Sequence, residues 1–139
     1  MDLERTDFDG ACHCGTVRFR VRLSGGLGTA RRCNCSLCRM RGAVAVTALL
    51  GDLELLQGAE MLSTYRFNTG VAEHHFCANC GIYTHHRRRS DPTQYGVNVA
   101  CLEGVSPFDF AEVPVSDGQH HEKDGGRGGI AGVLRFEPR

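Results

Sequence analysis

Tryptophan is absent from these 139 residues, and Lys123 is the single lysine among 16 basic side chains. Net charge is absent too, since 16 acidic groups balance the 16 basic ones. Such a chain has no global field to draw it onto nucleic acid or an anionic membrane. A nucleic-acid interface wants a wide basic stripe with interleaved aromatics. The short run Arg87-Arg88-Arg89 does not supply one, so a nucleic-acid partner is not expected. No apolar stretch approaches bilayer-crossing length, and no membrane association is expected. The start, Met1-Asp2-Leu3-Glu4-Arg5, lacks the apolar core of a secretory signal. A cytoplasmic, reducing location follows as the expectation, and there clustered cysteines are metal ligands more often than disulfides. Helical periodicity is missing as well, with no window of about eleven residues carrying apolar side chains at i, i+3, i+4 and i+7. A helical bundle is excluded.

What the chain does carry is period two. Val17, Phe19, Val21 and Leu23 alternate with Arg18, Arg20 and Arg22, the pattern of a half-buried strand, and Gly25-Gly26 ends it. Further short apolar runs at 43–50, 53–57, 62–67, 74–77, 82–86 and 95–102 are separated by glycine- and proline-containing turns. Residues 36–41 make at most a short helical turn. The expected fold is mainly β, a single zinc-stapled domain with little helix. Its body spans 7–118. The remainder, 119–139, reads as a mobile glycine-rich loop over 119–129 and a possible last strand at 133–136.

Seven of the eight cysteines fall into three clusters: Cys12-His13-Cys14, then Cys33-Asn34-Cys35-Ser36-Leu37-Cys38, then Cys77-Ala78-Asn79-Cys80. The outer pairs together offer four thiolates, a closed tetrahedral shell of the structural kind. Residues two apart in an extended segment face the same way, so Cys12 and Cys14 can share an ion. Cys77 and Cys80 bracket a knuckle, for which Gly81 allows a left-handed turn. The middle cluster, Cys33, Cys35 and Cys38, offers three thiolates and leaves one position open, the pattern of a reactive zinc. Three thiolates make that zinc soft and a poor activator of water, so its natural fourth partner is an incoming thiol. The alternatives are closure of the trio by Cys101 or a histidine, a trio without metal, or a redox pair. Cys101 continues the alternation of Tyr95, Val97 and Val99 and reads as a small buried hydrophobe. The pairs His74-His75, His85-His86 and His120-His121 are expected mostly at strand or loop surfaces, and His13 is expected to point away from the outer site.

The segments 10–15, 33–39, 76–81 and Gly96-Val97-Asn98 resemble the glutathione-dependent formaldehyde-activating enzyme family, whose domain is shared with centromere protein V. The resemblance covers roughly residues 7–118. It implies a β-tent fold, a structural zinc on Cys12, Cys14, Cys77 and Cys80, and a second zinc on Cys33, Cys35 and Cys38. It also implies a carbon–sulfur lyase or synthase activity, with glutathione as co-substrate and formaldehyde as the small aldehyde partner. Arg39, with Arg31 and Arg32 behind it, is the candidate clamp for the two glutathione carboxylates. Asn98 is the candidate donor to a developing alkoxide. The competing class is a non-catalytic, zinc-stabilised binding module or a glutathione carrier.

Overall fold

The alternation at 17–23 is a strand in the computed structural model, which describes residues 2–139. Strand β2 (Arg18–Arg22) lies between β1 (Asp7–Ala11) and β5 (Leu53–Gln57) in an antiparallel sheet. Phe19 and Val21 face inward and are buried, while the arginines of β2 face water. Arg20 and Arg22 reach Asp9 and Asp7 across the pair at 3.1 and 3.2 Å. These exposed pairs contribute about 0–1 kcal/mol each, so the buried face, not the charges, fixes the register.

A second antiparallel sheet has the order β4-β9-β8-β7-β6, from β4 (Ala45–Leu49), β6 (Leu62–Tyr65), β7 (Glu73–Cys77), β8 (Tyr83–Arg87) and β9 (Gln94–Asn98). Val46, Ala48 and Val97 from this sheet pack with Phe19, Val21 and Leu23 to make one core. The run at 95–102 is shorter as a strand than its alternation suggests. The Asn98 side chain accepts from the Ala100 N–H at 3.1 Å and turns Val99–Cys101 into a 3-10 turn. Cys101 is nevertheless buried, and its thiol faces the Tyr83 carbonyl at 3.5 Å.

The third sheet has the order β11-β10-β3, with β3 (Arg32–Cys33), β10 (Glu112–Ser116) and β11 (Ile130–Arg135). β10 runs parallel to β3, pairing Ser116 with Cys33, and antiparallel to β11. Two of these strands give little signal in the sequence. β1 is Asp-Phe-Asp-Gly-Ala, with few residues of high strand propensity. β10 contains Pro114, tolerated because β3 reaches only Val115 and Ser116 and leaves that side of Pro114 open.

The glycine-rich stretch 119–129 carries one 3-10 turn, Glu122–Asp124. It is the connection of the β10–β11 hairpin, tied down by several contacts. Gln119 donates twice to Asn34, through its N–H to Oδ1 and through Nε2 to the carbonyl, both at 3.1 Å. Arg89 forks onto the Asp124 carboxylate, and Gly128 N–H bonds the His120 carbonyl at 2.8 Å. The polar composition that looked like disorder supplies these bonds.

Candidate metal sites and the cavity between them and the hairpin

The turn after β1 and the turn after β7 converge on the outer cysteines. Cys12, Cys14, Cys77 and Cys80 place their sulfurs within 4.8 Å of one another. Cys14 Sγ lies 3.6 Å from Cys12 Sγ and 3.8 Å from Cys77 Sγ. Zinc–sulfur bonds of about 2.3 Å in a tetrahedron place the sulfurs about 3.8 Å apart, so these residues fit zinc. The spacing is far too long for a disulfide, and all eight cysteines are free. Gly81 adopts φ 78° and its N–H closes the knuckle onto the Cys77 carbonyl at 2.8 Å. The Cys14 thiol is lowered to about 5, first by the Thr16 hydroxyl and then by Asn79. Val17 N–H points at Cys12 Sγ at 3.3 Å. The Thr16 and Asn79 contacts favour the thiolate form of Cys14 that a metal needs. His13 is exposed between its two neighbours.

The middle trio is built by a different device. Cys33 ends β3, Cys35 caps the helix α1 (Ser36–Arg41), and Cys38 sits in its first turn. The Cys38 N–H points at Cys35 Sγ at 3.3 Å, and the Cys35 N–H at Cys33 Sγ at 3.4 Å. The three sulfurs also lie within 4.8 Å of one another. Cys35 is held far down, to about 2, by hydrogen bonds from Cys33 and Cys38, whereas Cys38 is pushed far up by Cys33 and Cys35. This set fits a thiophilic metal with one position free. Cys101 lies in the main core and in neither cysteine cluster, and no histidine joins either cluster among the described residues.

Between the trio and the hairpin lies a cavity of about 760 Å³, within the range of small-molecule sites. Its walls hold six arginines: Arg31, Arg32, Arg39, Arg41, Arg88 and Arg89. The hairpin brings Asp117, Glu122 and Asp124 to the opposite side. Arg31 is braced by the Thr29 carbonyl and Thr47 hydroxyl at 3.0 Å, and burial lowers it to about 10, still charged at neutral pH. Arg88 is held by the Gln94 side chain at 3.0 Å. Arg39 is exposed at the rim. Gly118 closes the cavity over the cysteines. A Cβ there would come within 2.5 Å of Cys33 Sγ, so the approach needs glycine.

Asn98 is not brought to this site. Its amide donates to the Tyr83 carbonyl at 2.8 Å and its oxygen caps Ala100, so both ends serve the fold, and it does not line the cavity. The histidines also depart from the surface expectation. His74 and His85 are buried. Because β7 and β8 pair His74 with His86 and His75 with His85, the four rings sort onto two faces. His75 and His85 contact each other toward Phe19 and the core. His74 and His86 stack at 5.2 Å and line the cavity with Tyr83. Burial lowers His74 to about 4 and His85 to about 3. Arg41, Tyr83, His74 and His86 are site residues that the sequence did not single out. Arg41 follows Cys38 by three, the helical spacing that puts two side chains on one face, and that was the available signal.

Fold and site together define a small mainly-β domain with two cysteine clusters, one closed and one opening onto an arginine-walled cavity. The family model described as glutathione-dependent formaldehyde-activating enzyme matches residues 7–113, and the chain belongs to that family. A Halomonas elongata protein, provisionally named a glutathione-dependent formaldehyde-activating enzyme, is 42% identical over 81 residues. The alignment takes in 52% of this chain and 50% of that protein, so the chain spans about half the length of this curated relative. The crystal structure of a Rhodobacter sphaeroides protein is 59% identical with a TM-score of 0.76, over 77% of this chain and 98% of that one.

Proposed function

We propose that this protein joins glutathione to formaldehyde at the middle cysteine trio, giving S-(hydroxymethyl)glutathione, and that both cysteine clusters hold zinc. The observation that carries the reading is the trio itself, three sulfurs at the edge of a cavity walled by arginines. When bound there, zinc would supply a soft, exchangeable position at which a thiol is favoured as thiolate. The chain's own residues do the rest. Arg31 and Arg88, fixed by their hydrogen bonds, and Arg39 and Arg32 beside the trio, offer forks to the two carboxylates of glutathione. The hairpin at Gly118 limits water over the cysteines. In the reaction the thiol sulfur forms a bond to the aldehyde carbon, the carbonyl π pair moves to oxygen, and the thiol proton ends on that oxygen. Nothing is oxidised or reduced. Holding the two reactants together is the main contribution, because the addition also proceeds unaided in water.

The test is an exchange measurement by NMR on glutathione and formaldehyde at equilibrium, with and without zinc-loaded protein. Exchange faster than the unaided reaction, abolished by Cys35→Ser, supports the reading. Saturable glutathione binding without any acceleration would mark the protein as a carrier. The absence of glutathione binding, with double-stranded DNA as comparison ligand, would overturn both.

A further inference from the structure

We infer that Arg41 is a positioning residue for the trio, fixing the Cys38 sulfur and supplying the positive charge that a metal held by three thiolates lacks. This rests on the reading that the trio holds a divalent metal. Arg41 Nη2 points at Cys38 Sγ at 3.4 Å, and Nη1 at His74 Nδ1 at 3.0 Å. Its guanidinium carbon lies 3.7 Å over the Tyr83 ring centre. Both braces are themselves buried, Tyr83 at 8% and His74 at 6% exposure. An arginine only donates, so His74 Nδ1 accepts and the neutral ring carries its proton on Nε2. The strut therefore runs from sulfur to guanidinium to a neutral imidazole, and its orientation is set at each joint.

Charge explains why the strut is an arginine. A divalent ion with three thiolates carries minus one, and a fourth thiolate makes it minus two. In a partly buried site that charge needs a partner, and guanidinium stays protonated at any working pH. Three thiolates around a divalent ion place net negative charge beside Arg41, so a fixed cation favours the loaded state, and favours it more once a thiol ligand has joined. Arg39, next to Cys38 in sequence, is exposed at the rim and makes no such bond. The strut also carries a cost. Arg41 Nε and His74 Nε2 are the two buried side-chain polar atoms without a partner among the described residues. A guanidinium placed for packing alone would be expected to satisfy its donors. Here the sulfur and imidazole contacts take precedence.

The experiment titrates cobalt(II) into metal-free protein against a chelator, following sulfur-to-cobalt absorption at each site, for the parent, Arg41→Gln, Arg41→Lys and the exposed-strand control Arg18→Gln. Outer-shell partners of metal ligands typically contribute 10–100-fold in affinity. Arg41→Gln should lose that much at the trio, keep the outer site unchanged, and lose still more in glutathione affinity. Arg41→Lys, which keeps charge and stem, should recover part of the loss and answers for any folding defect in the glutamine variant. Unchanged trio affinity in both Arg41 variants overturns the inference while leaving the metal reading intact. Equal weakening at both sites also overturns it, as the mark of a merely structural arginine. A parent protein that takes up one cobalt only removes the metal reading and this inference with it.

Discussion

Replacing Cys80 by serine should damage this protein far more than replacing Cys35, although each change removes one sulfur. The outer cysteines join segments 63 residues apart, and the apolar cluster around them is small. In that cluster Cys12, Val17 and Cys77 are the buried members, two of the three belonging to the cysteine set itself, with Leu55, Met61 and Leu62 packed against them. Burying a valine contributes about 1.5–3 kcal/mol, against roughly 10–16 kcal/mol for a structural zinc. One ligand in four is then worth about 2.5–4 kcal/mol, and more if the ion leaves. Cys35 is different. It is half-buried beside a cavity, away from the main core, and acts as N-cap of α1. Serine is a preferred N-cap and can accept from the Cys38 N–H in place of sulfur, so the fold should lose about 1 kcal/mol or less. For a chain of this length about 1 kcal/mol moves the melting temperature by 3–4 °C. Zinc-loaded Cys80→Ser should therefore melt about 10 °C or more below zinc-loaded Cys35→Ser by circular dichroism, if it folds at all. Metal analysis should find the second ion missing from Cys35→Ser and the first retained. Equal melting temperatures, or a larger drop in Cys35→Ser, would refute the division into a holding site and a working site.

Cys101→Ala should cost about 1 kcal/mol, the scale of a small core deletion, and keep both metals by stoichiometry; release of one would make Cys101 a ligand. His85, lowered to about 3 by burial, is neutral in the folded protein and protonates only on unfolding. Its contribution is whole above the unfolded pKa near 6.5 and is lost as pH falls toward 3, by about 1.4 kcal/mol at pH 5.5. The fall in denaturation midpoint between pH 7.5 and 5.5 should accordingly be smaller in His85→Phe, and an identical fall would contradict that assignment. Gly118→Val should push the hairpin off Cys33 and weaken glutathione binding, at about 1–3 kcal/mol of overpacking in the melting curve; unchanged binding would show that the hairpin does not border the ligand.

The parts of this architecture legible in the sequence were those written in short-range pattern. The alternation of β2 and the spacing of seven cysteines gave a mainly-β chain with cysteines gathered as one set of four and one of three, because strand period and cysteine spacing are local properties. What depended on pairing across the chain was hidden. The histidine doublets looked superficial until β7 and β8 paired them ring on ring between core and cavity. Asn98 had the chemistry of a donor, but the chain turns at that residue and uses both ends of its amide. The segment 119–129 had the composition of a loose tail, and only the β10–β11 pairing shows its polar groups meeting Asn34 and Arg89.

The hairpin that covers the trio lies almost wholly beyond residue 113, where the family match stops. Its seat depends on a shift of pairing between Val115 and Ser116, just where β10 also runs beside Cys33. A residue gained or lost there would rotate Gly118 away from the sulfurs and turn a different side chain toward them. The cysteine frame and the cover over it are thus carried by different segments of the chain. One frame could serve many ligands through changes in the cover alone, and relatives that share every cysteine need not share a substrate.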